Sequence, residues 1–306
     1  MPAIAQRFGT TLTRRQVTAG IAVAGAGLAL ARSVSFAQDA SSTPATTSIP
    51  SGAAAWTRFN LNSANNDQFA TIPGVGDRML DEFNEYKPYS SILQFRKEIG
   101  KYVDDSVVAA YEAYLFVPVD PNTADSDTLQ QLPGVSSDIA DQLLSAVPYA
   151  DDAAFVAALG SLVSADFAAL ASQYLSSTPS ATATWLKFNL NTSSDDRFLM
   201  IPGVGDKMLR EFNEYKPYTS IEQFRQEIGK YVDDSQVAAW ERYVYVPVDP
   251  ASADAATLQQ LPGVSEDDAK SLAESVPYAD AAAFSTALAS VISPEQAALA
   301  GSYIAQ

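Results

Sequence analysis

The chain has 306 residues, is 47% hydrophobic and 10% aromatic, and carries a formal net charge of −17; it is long enough for one large domain or two ordinary ones. It contains no cysteine and no histidine, which excludes disulfides, thiolate and imidazole chemistry and the usual zinc or haem ligands, so no cofactor is expected. So acidic a surface repels nucleic acid and anionic lipid at long range.

Residues 1–37 are the exception to the acidic balance, with four arginines and no acid. They contain the basic run Leu12-Thr13-Arg14-Arg15-Gln16-Val17, an apolar stretch from Ala19 to Ala31, and the small-residue end Ser35-Phe36-Ala37. The stretch is too short to span a bilayer core, which needs about 20 residues. The pattern predicts a twin-arginine signal peptide, export by that route with cleavage before Gln38, and a periplasmic or extracellular location with no transmembrane segment after signal removal. Without this segment, 15 basic residues face 36 acidic ones, or −21. Residues 38–55 are rich in Ser, Thr, Pro and Ala and read as a flexible tether.

From there the chain repeats itself. Phe59-Asn60-Leu61-Asn62 recurs as Phe188-Asn189-Leu190-Asn191, Ile72-Pro73-Gly74-Val75-Gly76 as Ile201-Pro202-Gly203-Val204-Gly205, and Leu129 to Ser136 as Leu258 to Ser265, all at an offset of 129. A fainter repeat at an offset of 60 lies inside each half, matching Pro73, Pro88, Phe95, Gly100 and Tyr114 with Pro133, Pro148, Phe155, Gly160 and Tyr174. The chain is therefore read as four units, first to fourth, in two pairs: 56–178, a linker over 179–184, and 185–306. Within the first unit Met79, Leu80, Phe83 and Tyr86 follow a helical period, as do Ile92, Phe95, Ile99 and Val103. No strong alternating run suggests a sheet, and the predicted class is all-α, built of tandem helix-hairpin-helix units. Asn62 with Ser63, and Asn122 with Thr123, are expected to cap the short helices near them. Each pair is expected to fold alone.

The hairpin in each unit joins two helices. Pro73 ends one helix, Gly74 and Gly76 permit unusual backbone angles, and Asp77-Arg78-Met79-Leu80 opens the next. Free N–H groups at that helix start make a natural anion site. In the second and fourth units Ser136 and Ser265 replace the second glycine, with acids following at Asp138 and at Glu266, Asp267 and Asp268. Those two helix starts read as self-capped.

The Asn-x-Asn-x-Ala element, the Pro-Gly-Val-Gly turn, Tyr86-Lys87-Pro88-Tyr89 and the second turn at Ile99-Gly100-Lys101 resemble the helix-hairpin-helix domain of the ComEA-type competence DNA receptor family. The extrinsic photosystem II protein U shares that domain in a structural role. The resemblance recurs four times across nearly the whole chain after the tether. In the DNA-binding members, backbone amides of the glycine turn hold a phosphate beside a lysine or arginine. Carried over, the candidate anion sites are Gly74, Val75, Gly76 and Arg78, then Gly203, Val204, Gly205 and Lys207. This chain departs from that pattern where Asp77 and Asp206 follow the second glycine.

Charge divides by unit. The first and third units hold 14 of the 15 basic residues that follow the signal-like segment, and the fourth holds only Lys270. A face that meets a partner through mixed charge therefore belongs to the odd units, unless these cations pair with neighbouring acids. Tyr86 and Tyr89 could stack on bases, but Tyr149 and Tyr278 keep the second tyrosine in units nearly devoid of positive charge, which favours packing. Asp120 to Asp125 lacks the glycine and glutamate of an EF-hand, and the duplicated Asp104-Asp105 and Asp233-Asp234 suit helix caps. No catalytic constellation emerges, and an enzyme is not expected. Two readings remain: a structural adaptor for an exported protein partner, which the charge favours, and a DNA-binding module.

Overall fold

Residues 52–178 and 180–305 are described by the computed structural model, so the signal-like segment and most of the tether lie outside the described residues. The first unit runs β1 (Ala53–Asn60), α1 (Asn66–Phe69), α2 (Asp77–Glu85), α3 (Ile92–Ile99), α4 (Asp105–Glu112) and β2 (Leu115–Phe116). The second runs α5 (Ser126–Leu129), α6 (Ser137–Ser145), α7 (Asp152–Gly160) and α8 (Ala165–Ala171). The third repeats the first as β3 (Thr182–Asn189), α9 (Asp195–Leu199), α10 (Asp206–Glu214), α11 (Ile221–Ile228), α12 (Asp234–Glu241) and β4 (Val244–Tyr245). The fourth closes with α13 (Ala255–Leu258), α14 (Glu266–Glu274), α15 (Ala281–Leu288) and α16 (Pro294–Ala300).

The all-α expectation is corrected by a four-stranded mixed sheet in the order β2-β1-β3-β4. Its absence from the sequence pattern has a physical cause. Both faces of β1 are covered, so its burial does not alternate, and six of its eight residues are buried, among them Arg58. β2 and β4 are two residues long and pair in parallel with β1 and β3, a long-range match that no local period announces. β1 begins within the stretch read as tether, and β3 within the stretch read as linker.

The pairing of β1 with β3 is antiparallel, with Trp56 opposite Trp185. These two residues are also one repeat offset apart, so the register faces a residue with its own equivalent and sets a pseudo-two-fold axis between the halves. The Tyr174 hydroxyl donates to Thr184 O (3.0 Å) across the axis, and its equivalent Tyr303 donates to Ala55 O (3.3 Å). The halves thus share one sheet and one core.

Each unit is also closed in the same way. Phe59 pairs with Leu115, Phe188 with Val244, Val119 with Leu175 and Val248 with Ile304, all in parallel, so the end of every unit returns beside its beginning. Inside, rings meet edge to face: Phe69 on Phe83 at 5.4 Å and Phe83 on Tyr111 at 5.6 Å, repeated by Phe198 on Phe212 at 5.6 Å and Phe212 on Trp240 at 5.7 Å.

Asn62 and Asn122 do not cap helices. Asn62 Nδ2 donates to Tyr89 O (2.8 Å) while its Oδ1 accepts from Tyr89 N–H (2.7 Å). Asn122 and Asn191 clamp Tyr149 and Tyr218 in the same two-bond manner. The helix caps sit three residues on, at Asn65 for α1 and Asp125 for α5. In the fourth unit Ala251 stands at the clamp position, and Tyr278 N–H donates to Pro250 O instead (3.0 Å).

Replacing Asn191 by Ala strands two backbone groups and is expected to lower stability by about 1–3 kcal/mol in urea titration. Separately expressed 47–178 and 179–306 each leave a tryptophan-centred strand edge unpaired. Mixed, they are expected to form a 1:1 complex by size-exclusion with light scattering, and each alone to self-pair. Halves that stay monomeric when mixed would overturn the shared sheet.

Candidate functional site

The first glycine of all four hairpins adopts the left-handed conformation, with φ of 80°, 80°, 81° and 79° at Gly74, Gly134, Gly203 and Gly263, where a side chain is strained. Their surroundings then differ. Gly74 and Gly203 are exposed, whereas Gly134 and Gly263 are buried. A Cβ on Gly134 would stand 2.4 Å from the Phe167 ring, and one on Gly263 1.2 Å from Gln296 Oε1; on Gly74 the nearest atom is 3.7 Å away. The Gly134 backbone abuts Tyr243 and that of Gly263 abuts Tyr114, each tyrosine belonging to the other half. Even-unit hairpins are therefore seated in the seam between the halves, and odd-unit hairpins face outward.

Helix starts divide likewise. Ser136 Oγ accepts from Ile139 N–H (3.3 Å) at α6, and Ser265 with Asp268 forms a capping box at α14. Gly76 and Gly205 begin α2 and α10 with no side-chain cap, and Asp77 and Asp206 lie exposed in the first turn, where an acid is favoured by the helix dipole. Val75 is half-buried and Val204 buried, each anchoring its turn to the core. Arg78 lies over the Tyr102 ring (5.2 Å) and Lys207 over Tyr231 (5.6 Å). Beside them Tyr86 and Tyr102 join hydroxyls at 2.8 Å, and Tyr215 and Tyr231 at 3.0 Å. These bonds hold the Tyr102 and Tyr231 hydroxyls well above the ordinary phenol range. Each quartet of candidate residues is thus brought together at one outward hairpin, beside a paired-tyrosine platform.

Most cations of the odd units are engaged within the fold. Arg96 binds Glu112 through two nitrogens (2.6 and 2.9 Å) and Asp127 through a third (2.5 Å), and Arg225 grips Glu241 in the same bidentate way (2.7 and 2.9 Å). Lys101, Lys230 and Arg197 pair with Glu98, Glu227 and Asp166. Lys87 and Lys216 reach backbone carbonyls while lying 4.7 Å above the rings of Phe69 and Phe198.

A second arrangement was not foreseen from the sequence. A cavity of about 350 Å³ lies at the pseudo-two-fold axis, lined by Trp56, Trp185, Arg58, Lys187, Arg225 and Arg242 among others. Arg58 is 1% exposed; its guanidinium donates to Gln131 O (2.9 Å), Glu112 O (2.8 Å) and Leu115 O (2.5 Å) and lies 5.2 Å from the Trp185 ring. Burial holds it below its ordinary value. Lys187 is the Arg58 equivalent one repeat on and lies 4.6 Å over the Trp56 ring, without a hydrogen-bond partner among the described residues. Burial pushes Lys187 down to about 8, Glu241 pulls it partly back, and Arg242 pushes it further down. The signal that could have found this place is a triple break in the repeat: Arg58 against Lys187, Ala113 against Arg242, and Asp127 against Ala256.

Comparison with protein-family models, with curated proteins and with solved structures finds no match to this chain.

Proposed function

We propose that this chain is an exported, non-catalytic helix-hairpin-helix binding protein, an adaptor that holds a protein partner through the outward hairpins of its first and third units. The observation that carries the reading is the disposition of charge. Non-specific DNA affinity comes mostly from lysine and arginine neutralising phosphates. Here most of the odd units' cations already neutralise acids, stack on aromatic rings or sit inside the fold, on a chain of net charge −17. What each outward hairpin offers is one cation stacked on a tyrosine, a second tyrosine bonded to it, and an exposed acid. Tyrosine in both hairpins, and Arg78 in the first, are of the kinds that anchor protein interfaces; Lys207 stands in the arginine position of the third unit.

DNA binding is the second reading, favoured by the uncapped starts of α2 and α10 beside exposed glycines. The two readings part at low ionic strength, where attraction is least screened. Duplex and single-stranded DNA titrated there are expected to give flat curves. Pull-down from native extracts of the source cells is expected to retain a protein partner that Arg78→Ala/Lys207→Ala loses at least tenfold, with the helical circular dichroism unchanged. Tight, salt-sensitive DNA binding abolished by the same double substitution would replace the adaptor with the DNA reading.

A further inference from the structure

We propose that the cavity on the pseudo-two-fold axis is a binding site for a small organic anion, a carboxylate or phosphate ester carried on a small apolar body. The two copies of the duplicated pair have diverged around this cavity. On the side of the first pair, the Arg58 guanidinium takes three carbonyl oxygens, and Asp127 joins Glu112 in holding Arg96. On the side of the second pair, the shorter Lys187 stands at the equivalent of Arg58, and Ala256 at that of Asp127. Arg242 stands where the first pair has Ala113. The first exchange leaves room and the third adds a cation; at the second, Glu222 takes over from the missing carboxylate as a further partner of Arg225.

The result is a concentration of positive charge inside an acidic protein. Arg58, Lys187, Arg225 and Arg242 line the cavity against the carboxylates of Glu241 and Glu266. Both carboxylates are already committed, Glu241 to Arg225 and Glu266 to Lys270. Arg242 lies close enough to disfavour the charged forms of both Arg58 and Lys187. Arg58 Nε is buried with no hydrogen-bond partner among the described residues. Arg58 is buried and Lys187 half-buried, and neither forms an ion pair among the described residues; such cations are costly unless something neutralises them, and an anion bound here would do so. Trp56 and Trp185 border the space with their faces already covered by cations and tyrosines, and Pro73, Ala110, Ala113 and Val264 supply further apolar wall for the body of a ligand. The volume, about 350 Å³, falls at the lower end of the range of ligand pockets, about 300–1,000 Å³, which suits a single ring bearing one acid group.

The probes are benzoate, inorganic phosphate and neutral benzamide, titrated into the full chain. Trp56 and Trp185 are two of its three tryptophans, so a Trp240→Phe background makes intrinsic fluorescence report on the cavity. Benzoate is expected to quench saturably, phosphate to compete with it, and benzamide to do neither. Lys187→Met is expected to weaken benzoate at least tenfold without lowering the thermal midpoint, since burial already disfavours the ammonium. Arg242→Gln is expected to weaken it as well. The Lys187 amine, followed by NMR, is expected to titrate near 8 in the free protein and upward of that with benzoate bound. Three outcomes would overturn the site: no saturable signal from either anion, equal binding of benzamide, or benzoate affinity unchanged in both variants.

Discussion

The antiparallel pairing of β1 with β3, centred on Trp56 opposite Trp185, is the contact on which the architecture turns. Each half contributes one long strand, and neither strand has a hydrogen-bonding neighbour on its inner edge except the other. Because the register sets a residue against its own repeat equivalent, everything attached to the strands is placed by the same rotation. The cross-axis bonds of Tyr174 and Tyr303 repeat each other for this reason. So do the bonds from Trp56 Nε1 to Ala113 O (2.9 Å) and from Trp185 Nε1 to Arg242 O (2.7 Å). An isologous interface of this kind is what a symmetric dimer of one pair would form; here the two partners are covalently joined and have been free to diverge.

The two seams beside the sheet have diverged. Between the second and third units, Phe167 packs against Phe188 at 6.1 Å and Tyr243 at 6.0 Å, and Arg197 pairs with Asp166. The equivalent seam between the fourth and first units has Gln296 in place of Phe167 and Gln68 in place of Arg197. There Gln296 Nε2 donates to Thr71 O (3.1 Å), and a cavity of about 540 Å³ remains. One duplicated interface has thus become an aromatic seam and a polar one, each beside a cavity, of about 410 Å³ between the second and third units and about 540 Å³ between the fourth and first.

The helices and their fourfold repetition were legible in the sequence because both leave a period behind: 3.6 residues for the helix face, 60 and 129 for the units. The sheet left none. Arg58 breaks the apolar run of β1, and a charged residue in the middle of a short segment reads as surface until its three backbone acceptors are seen. Asn62 was read as a cap because asparagine favours helix starts, but its partner is Tyr89, on the far side of α2. Ser136 and Ser265 did announce their capping role, since a cap bonds within three residues of itself. That the same hairpins are buried was not announced, because their neighbours lie in the other half.

This last difference links the fold to its use. A left-handed glycine turn followed by a helix is available four times, yet the left-handed glycine is exposed in only two of them. The even copies hold the halves together, and their helix starts carry serine caps. The odd copies keep the bare glycine and carry nearly all the positive charge. Even so, much of that charge is directed inward: Arg58 into the sheet, Lys187 onto Trp56, Arg96 and Arg225 onto glutamates. Counting cations by unit located the asymmetry correctly but not its direction. The positive side chains of the odd units serve the pseudo-two-fold axis as much as the outer surface.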